Sequence, residues 1–335
     1  MRRAVVLLNL GGPLQEKDIQ PFLFNFFTDK NIISAPAFIR YPLAAFIAFT
    51  RSRGAARDAY KALNYKSPLL ANTQAQVAAL QQALGEGYKV FVSMRYWHPM
   101  ADAVAAEVKT YNPDDVILLP LYPQFSTTTT GSSFEDWDRA AQGAGLLKPT
   151  RRIGCYPMDN GFIKASAENI RFAMKDAPEN TRILFSAHGL PEKVIAGGDP
   201  YQAQCEKTAK AIAAELGIAD DAWQICYQSR VGPLKWIGPS TEEALQKAAD
   251  DKVGVLIYPH AFVSEHVETL VEIDMEYRHM AQDMGVPWFG KAETVGTNPL
   301  FIAGLAATVQ AQDNEKFLPG QCAAKARQCI CKKAA

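Results

Sequence analysis

The sequence predicts an α/β protein of two similar lobes, each a mostly parallel sheet flanked by helices, with the lobes facing each other across a cleft. Three observations carry that expectation. Strand-like apolar runs alternate with helical segments along the chain, the pattern of parallel strands joined by helical crossovers. The two halves echo each other in order: AVVLLNLGGP near the start with RILFSAHGLP at 182–191, VFVSMRYWHPMADAVAAEV at 90–108 with WQICYQSRVGPLKWIGPSTEEAL at 223–245, and DDVILLPLYPQFSTTTTGSSFED at 114–136 with DKVGVLIYPHAFVSEHVETLVE at 251–272. Each repeated unit places a proline just past its strand, where a central ladder must stop.

A chain of 335 residues is long enough for two such lobes. The turn-rich segment RRIGCYPMDNGF at 151–162 marks the passage between them. This gives a first lobe at 1–150, a second at 151–312 and a polar, cysteine-rich tail at 313–335. Lys plus Arg and Asp plus Glu each number 35, so no bulk charge draws the protein to nucleic acid. The opening MRRAVVLLNLGGP imitates a signal peptide, but its apolar run is short and GGP closes it as a strand-to-loop turn. We read it as the first strand of a cytosolic protein. No stretch approaches the roughly 18 unbroken apolar residues of a spanning helix.

Along the first lobe, residues 22–27 (FLFNFF) and 38–49 (FIRYPLAAFIAF) are strongly aromatic and apolar, and Arg51, Arg53 and Arg57 follow. Two readings fit: an ordinary core helix, or an apolar lip that lines a large flat pocket or rests on a membrane. Thr127 to Thr130 lack the Lys and spacing of a phosphate loop, so they read as a loop entering a helix capped by Ser132 or Ser133. In the second lobe, the first strand ends in His188, where its repeat partner has Asn9. The shared scaffold therefore does not demand that histidine.

The third strand of this lobe, Val253 to Ile257, is broken by Tyr258-Pro259-His260. Ser264 is the expected N-cap of the helix that follows, with Glu265 in its first turn. Glu265, Glu268, Glu272 and Glu276 then recur at spacings of three, four and four on one helix face, with His266 beside them and Asp274 further round. Such a row is either a solvated acidic face or, since it starts past the carboxyl end of a strand, a place to hold a hard cation or take protons. If His188 and Glu268 meet, they form an N/O pair suited to a transition metal or to proton transfer.

Six cysteines in a cytosolic chain argue for metal, redox or plain burial rather than a disulfide framework. Cys322, Cys329 and Cys331 are spaced C-x6-C-x-C, one thiolate short of a four-cysteine site. Cys155, in the interlobe turn, is the candidate for the fourth; Cys226 sits in a strand, and Cys205 on a helix remains possible.

The segments SAHGLP, GDPY at 198–201, YQSRVGPLKWIGP at 227–239 and FVSEHVETLVEID at 262–274 resemble the signature segments of ferrochelatases. LNLGGP at 8–13, RYWHP at 95–99 and YPQFSTTTTGSS at 122–133 fit the same family, so the resemblance runs nearly the whole chain in order. It implies two Rossmann-like, chelatase-like lobes and an enzyme, a lyase, that inserts Fe²⁺ into protoporphyrin IX in the last step of haem biosynthesis. His188 and Glu268 are then the catalytic pair and candidate Fe²⁺ ligands. Glu272, and more weakly Glu265 and Glu276, continue an acidic path, and His266 supports the site. Tyr60, Ser67, Arg95, Tyr96, Trp236 and Phe262 match porphyrin-contacting positions, with Arg51 or Arg53 near the arginine that meets a propionate. The apolar stretch within about 20–60 matches the pocket lip, with peripheral contact to the inner membrane. Animal members place Ser after the histidine; Gly189 stands here, as in bacterial members. The tail resembles bacterial members that carry a [2Fe–2S] cluster, implying ligation by Cys155, Cys322, Cys329 and Cys331. Two other functions are weighed: a chelatase for coproporphyrin or cobalt, and a non-catalytic haem or metal carrier. The oligomeric state stays open.

Overall fold

Two parallel four-stranded sheets form because the apolar runs are buried on both faces. The computed structural model describes residues 1–311 apart from 231 and 233. By internal packing these divide into two units, Met1–Leu121 with Ser126–Ile153, and Tyr122–Phe125 with the chain from Gly154 on.

In the first unit, β1 (Arg3–Asn9), β2 (Tyr88–Met94), β3 (Asp115–Pro120) and β4 (Thr150–Arg152) lie in the order β2-β1-β3-β4, every pair parallel. In the second, β5 (Thr181–His188), β6 (Trp223–Gln228), β7 (Gly254–Tyr258) and β8 (Phe289–Lys291) take the order β6-β5-β7-β8, again all parallel. The repeat read from the sequence is thus a repeat of topology. It extends to a backbone detail: Met94 donates its N–H to Pro99 just as Tyr227 donates to Pro239. Ala4 to Leu7, Val116 to Leu119 and Val255 to Tyr258 are wholly buried. Continuous burial of this kind is what a central parallel strand requires, and each such Val, Leu or Ile contributes about 1.5–3 kcal/mol.

Two helix starts differ from expectation, and each has a local cause. Ser126, not Ser132 or Ser133, caps the turn after β3, its hydroxyl accepting from the Thr128 N–H at 3.1 Å. The chain makes a π-turn over Thr127–Gly131 before the α-helix Ser132–Ala144, and the Gly131 N–H reaches back to the Ser126 carbonyl. Ser132 is already helical, and its side chain is taken by Asp29. After β7, the helix opens at Glu268 and not after Ser264; it is a π-helix over Glu268–Glu276 before an α-helical turn, Tyr277–Asp283. Here Thr269 takes both the N–H and the C=O of His266, while Glu265 is drawn off to Lys291 and Thr294. Both π segments follow the third strand of their sheet.

Helix Ala37–Arg51 is not a core helix. Ala44 and Ala48 are its buried residues, whereas Phe38 is 78% and Phe46 66% exposed, with Tyr41 and Phe49 half exposed beside them. No helix among the described residues is long and apolar enough to cross a membrane.

Candidate active site

Strand β5 delivers His188 at its carboxyl end, and the register of β6 sets Gln228 directly beside it. The chain then turns at Gly189, whose N–H donates to the Gln228 carbonyl at 2.8 Å. A Cβ at this glycine would stand 2.9 Å from that carbonyl oxygen, so the close approach of the two strand ends requires the missing side chain. His188 Nδ1 lies 2.7 Å from the carbonyl of Gly189. A carbonyl can only accept, so Nδ1 carries the proton and Nε2 of the neutral ring presents a lone pair.

That lone pair faces Glu268, whose Oε2 is 3.8 Å from His188 Nε2; the side chains are 39% and 25% exposed. On the other side, Glu268 Oε1 is 3.9 Å from Nε2 of buried His266. Burial lowers the His266 pKa against the pull of Glu268, so this ring favours its neutral form. Phe262 stacks obliquely on it, with ring centroids 4.6 Å apart. Glu272 follows one turn on, accepting from Ser229 Oγ at 2.6 Å and from Tyr277 OH at 3.2 Å. Burial first, and the neighbouring Glu268 charge second, push the Glu272 carboxyl up to about 7. Ser229 reaches it from a left-handed backbone conformation, φ +63°.

The remainder of the acidic row has other partners. Glu265 is held by Lys291 at 2.8 Å and by the Thr294 N–H at 2.8 Å. Burial would raise its pKa, but Lys291 and these hydrogen bonds outweigh that and hold it below the usual range. Asp274 pairs with Arg278 at 2.6 Å, and Glu276 is exposed. The structure therefore brings together His188, His266, Glu268 and Glu272, and ties Glu265 to a neighbouring strand. Trp236 lies nearby, bridging to Pro191 and 3.3 Å from where a Gly189 Cβ would be.

In the first unit, Tyr60 and Ser67 are buried together under the LNLGGP turn: a Cβ on Gly12 would meet Ser67 Oγ at 2.7 Å and Tyr60 OH at 3.9 Å. Arg95 donates to Ser132 at 2.8 Å and to Asp29 at 3.0 Å, with Asp136 at 3.7 Å, and Tyr96 OH donates to Asp29 at 2.7 Å. Burial alone would raise the Asp29 carboxyl, yet the donors Ser132, Asn31, Arg95 and Tyr96 bring it below its ordinary value. Arg53 lies over the Phe49 ring at 3.6 Å and bonds Gln20 at 3.2 Å. Asp29, Gln228, Ser229 and Tyr277 were not singled out by sequence reasoning. Gln228 and Ser229 lie inside the quoted YQSRVGP segment at a strand end, a signal that could have found them; Asp29 carries none.

Among the described cysteines, Cys205 and Cys226 are wholly buried, and burial raises both thiols, Cys226 to about 12. Cys155 is half-buried, with Gln204 Nε2 3.4 Å from its sulfur. Cys322, Cys329 and Cys331 fall outside the described residues.

Comparison with known proteins places the whole chain in a family. The sequence model of the family described as Ferrochelatase matches residues 2–313. A ferrochelatase of Caulobacter vibrioides is 50% identical, over 99% of this chain and 98% of that protein. Those of Phenylobacterium zucineum and Pelagibacter ubique are 47% and 42% identical over 99% of this chain. Among solved structures, SirB from Bacillus subtilis with Fe³⁺ shares the fold, with a TM-score of 0.58 at 13% identity over 95% of this chain and 99% of that one. The sirohydrochlorin chelatase SirB of Bacillus subtilis subspecies spizizenii, in complex with cobalt, gives 0.54 at 12% identity, over 94% and 97%. A family match over nearly the whole length, and relatives about half identical from end to end, identify the scaffold that carries the histidine and its facing carboxylate: the chain belongs to the ferrochelatase family.

Proposed function

We propose that His188 and Glu268 are the pair at which this ferrochelatase inserts Fe²⁺ into protoporphyrin IX. The single observation behind this is the approach of His188 Nε2 to Glu268 Oε2 at 3.8 Å, with both atoms acceptors in the neutral-ring state. Two facing lone pairs attract only when a proton or a cation joins them. Metallation needs both services: two pyrrole N–H protons must leave the macrocycle, and Fe²⁺ must exchange water for protein donors before it meets the ring nitrogens. An imidazole nitrogen with a carboxylate oxygen suits ferrous iron, and either can take a proton. Glu272 stands behind as the next acceptor, its carboxyl raised to about 7 and poised to pass protons near neutrality.

The site residues of the first unit serve the porphyrin. Tyr60 and Ser67 line the turn under Gly12. Arg95 is engaged with Asp29 and Ser132, which suits it to shaping a pocket wall through Tyr96. The exposed apolar face of Ala37–Arg51 is suited to a membrane-borne, poorly soluble substrate. Loss of this peripheral contact is read by sedimentation with anionic vesicles, and a protein that stays in the supernatant removes the membrane from this reading.

A [2Fe–2S] cluster held by Cys155 with Cys322, Cys329 and Cys331 completes the proposal. Its support is that Cys155, unlike Cys205 and Cys226, is not fully buried and has an amide donor at its sulfur to stabilise a thiolate. Such a cluster supplies a covalent tie between tail and body and a redox-active centre. Anaerobically isolated protein without acid-labile sulfide ends the cluster assignment.

Anaerobic mixing with protoporphyrin IX and Fe²⁺, followed by loss of porphyrin fluorescence, tests the site. Multiple turnovers that fall by at least about 10³-fold in His188→Ala and Glu268→Gln are expected. Full turnover by both variants refutes the assignment. Stoichiometric porphyrin binding without turnover in the parent protein points instead to a carrier, or to coproporphyrin or Co²⁺ as the true substrates.

A further inference from the structure

We propose that Gln228 is a positioning residue for metal delivery: its carboxamide, anchored by Ser186, bridges Glu268 and Glu272 and sets the gap between their carboxylates for a divalent cation. The inference deepens the site assignment above and rests on it.

Gln228 is completely buried at the end of β6, where an amide is tolerated only if its polar atoms are satisfied. Its Oε1 accepts from Ser186 Oγ, itself fully buried on β5, at 2.8 Å. Its Nε2 stands 3.5 Å from Oε2 of Glu268 and 3.5 Å from Oε2 of Glu272. The orientation is fixed by charge: turned over, the amide would set its oxygen against two carboxylates. One hydrogen is thus directed at each glutamate. The same Glu268 oxygen is the one that faces His188 Nε2, so amide and imidazole share that atom and the amide reaches on to Glu272.

Two carboxylates four residues apart on one turn repel each other. A neutral amide between them offsets that repulsion without neutralising either. At 3.5 Å the contacts are long, so the amide acts as a spacer: it holds a position between the two carboxylates, one oxygen of which also accepts from Ser229, without saturating the lone pairs of either. A dication then takes over the amide's electrostatic role with no movement of the glutamates. Supporting residues of this kind orient metal ligands and act chiefly on metal affinity.

The test is steady-state kinetics of the full chain with Fe²⁺ and protoporphyrin IX varied separately, comparing Gln228→Leu, Ser186→Ala and the double variant. Gln228→Leu is expected to raise the KM for Fe²⁺ about tenfold or more, in the range seen for lost supporting partners of metal ligands, with the porphyrin KM within about twofold. Ser186→Ala is expected to move the Fe²⁺ KM the same way by roughly threefold, and to add nothing to Gln228→Leu, since it acts through that amide. Should Gln228→Leu not fold, Ser186→Ala, which retains the amide and removes its anchor, carries the comparison. An unmoved Fe²⁺ KM, or equal rises for both substrates, overturns the bridging role. If His188→Ala and Glu268→Gln stay active as well, the site assignment falls and the proposal with it. If those two are inactive while the Fe²⁺ KM of Gln228→Leu is unmoved, the bridge alone is overturned.

Discussion

Acidification should destabilise the protein through His260 by an amount the structure sets. His260 follows the proline that ends β7 and is completely buried. Among the described residues neither ring nitrogen has a hydrogen-bond partner of good geometry; the backbone of Cys205 and Ser186 lies near enough to favour a proton slightly, and burial prevails, lowering the pKa from 6.5 to about 4. Between these values the unfolded chain binds more protons than the folded one. Stability from this residue is therefore full above pH 6.5 and is lost as pH falls toward 4. At 1.36 kcal/mol per pH unit, the loss is about 2 kcal/mol by pH 5 and about 3 kcal/mol below pH 4. Glu272 acts with the opposite sign: its raised pKa gives the folded state extra protons below pH 7, so its contribution grows on acidification. Total stability against pH therefore mixes two opposed terms. The difference between parent and His260→Gln isolates one of them. Urea unfolding at pH 7.5 and pH 5, followed by tryptophan fluorescence, should show His260→Gln gaining about 2 kcal/mol on the parent between those conditions, whatever its cost at pH 7.5. Parallel curves would refute the reasoning and mean that the folded state admits a proton at His260.

Two more expectations concern the carboxylates. The turnover number should fall as pH drops through about 7, because Glu272 must be ionised to accept a proton, and Glu272→Gln should show a low rate without that limb. Pre-steady-state fluorescence quenching across pH 6 to 8.5 reads both. Asp29→Asn should cost about 1–3 kcal/mol, since it leaves the part-buried Arg95 guanidinium with the more distant Asp136 for charge among the described residues; a thermal melt checks this, and a melting temperature equal to the parent's contradicts it.

Much of the architecture was legible because buried parallel strands are written as unbroken apolar runs. The apolar run Val253 to Ile257 has the length of the observed strand and lies one residue upstream of it, at Gly254–Tyr258. The three-residue strands β4 and β8 left no such run and were missed. Helix starts failed where partners distant in sequence decide them. Ser264 looks like a cap, but Lys291 and Thr294 pull Glu265 out of the helix, and neither is adjacent in the chain. The four-carboxylate row was legible as spacing, yet only Glu268 and Glu272 join the histidines. Spacing along a helix does not reveal which side chains a neighbouring strand will claim. The pairing of Arg95 with buried Asp29 was hidden for the same reason: 66 residues separate them.

The wide π-turn after the third strand occurs in both units, with hydroxyls in one copy, Thr127–Gly131, and acids in the other, Glu268–Glu276. The strands before them correspond likewise, one first strand ending in Asn9 and the other in His188. The backbone that displays the reagents therefore also exists without them. Backbone and side chains are separable in this molecule: one copy of the repeated frame carries a histidine and acids where the other carries an asparagine and hydroxyls. It follows that the turn does not need the acids it displays: threonines form it in one unit and glutamates in the other.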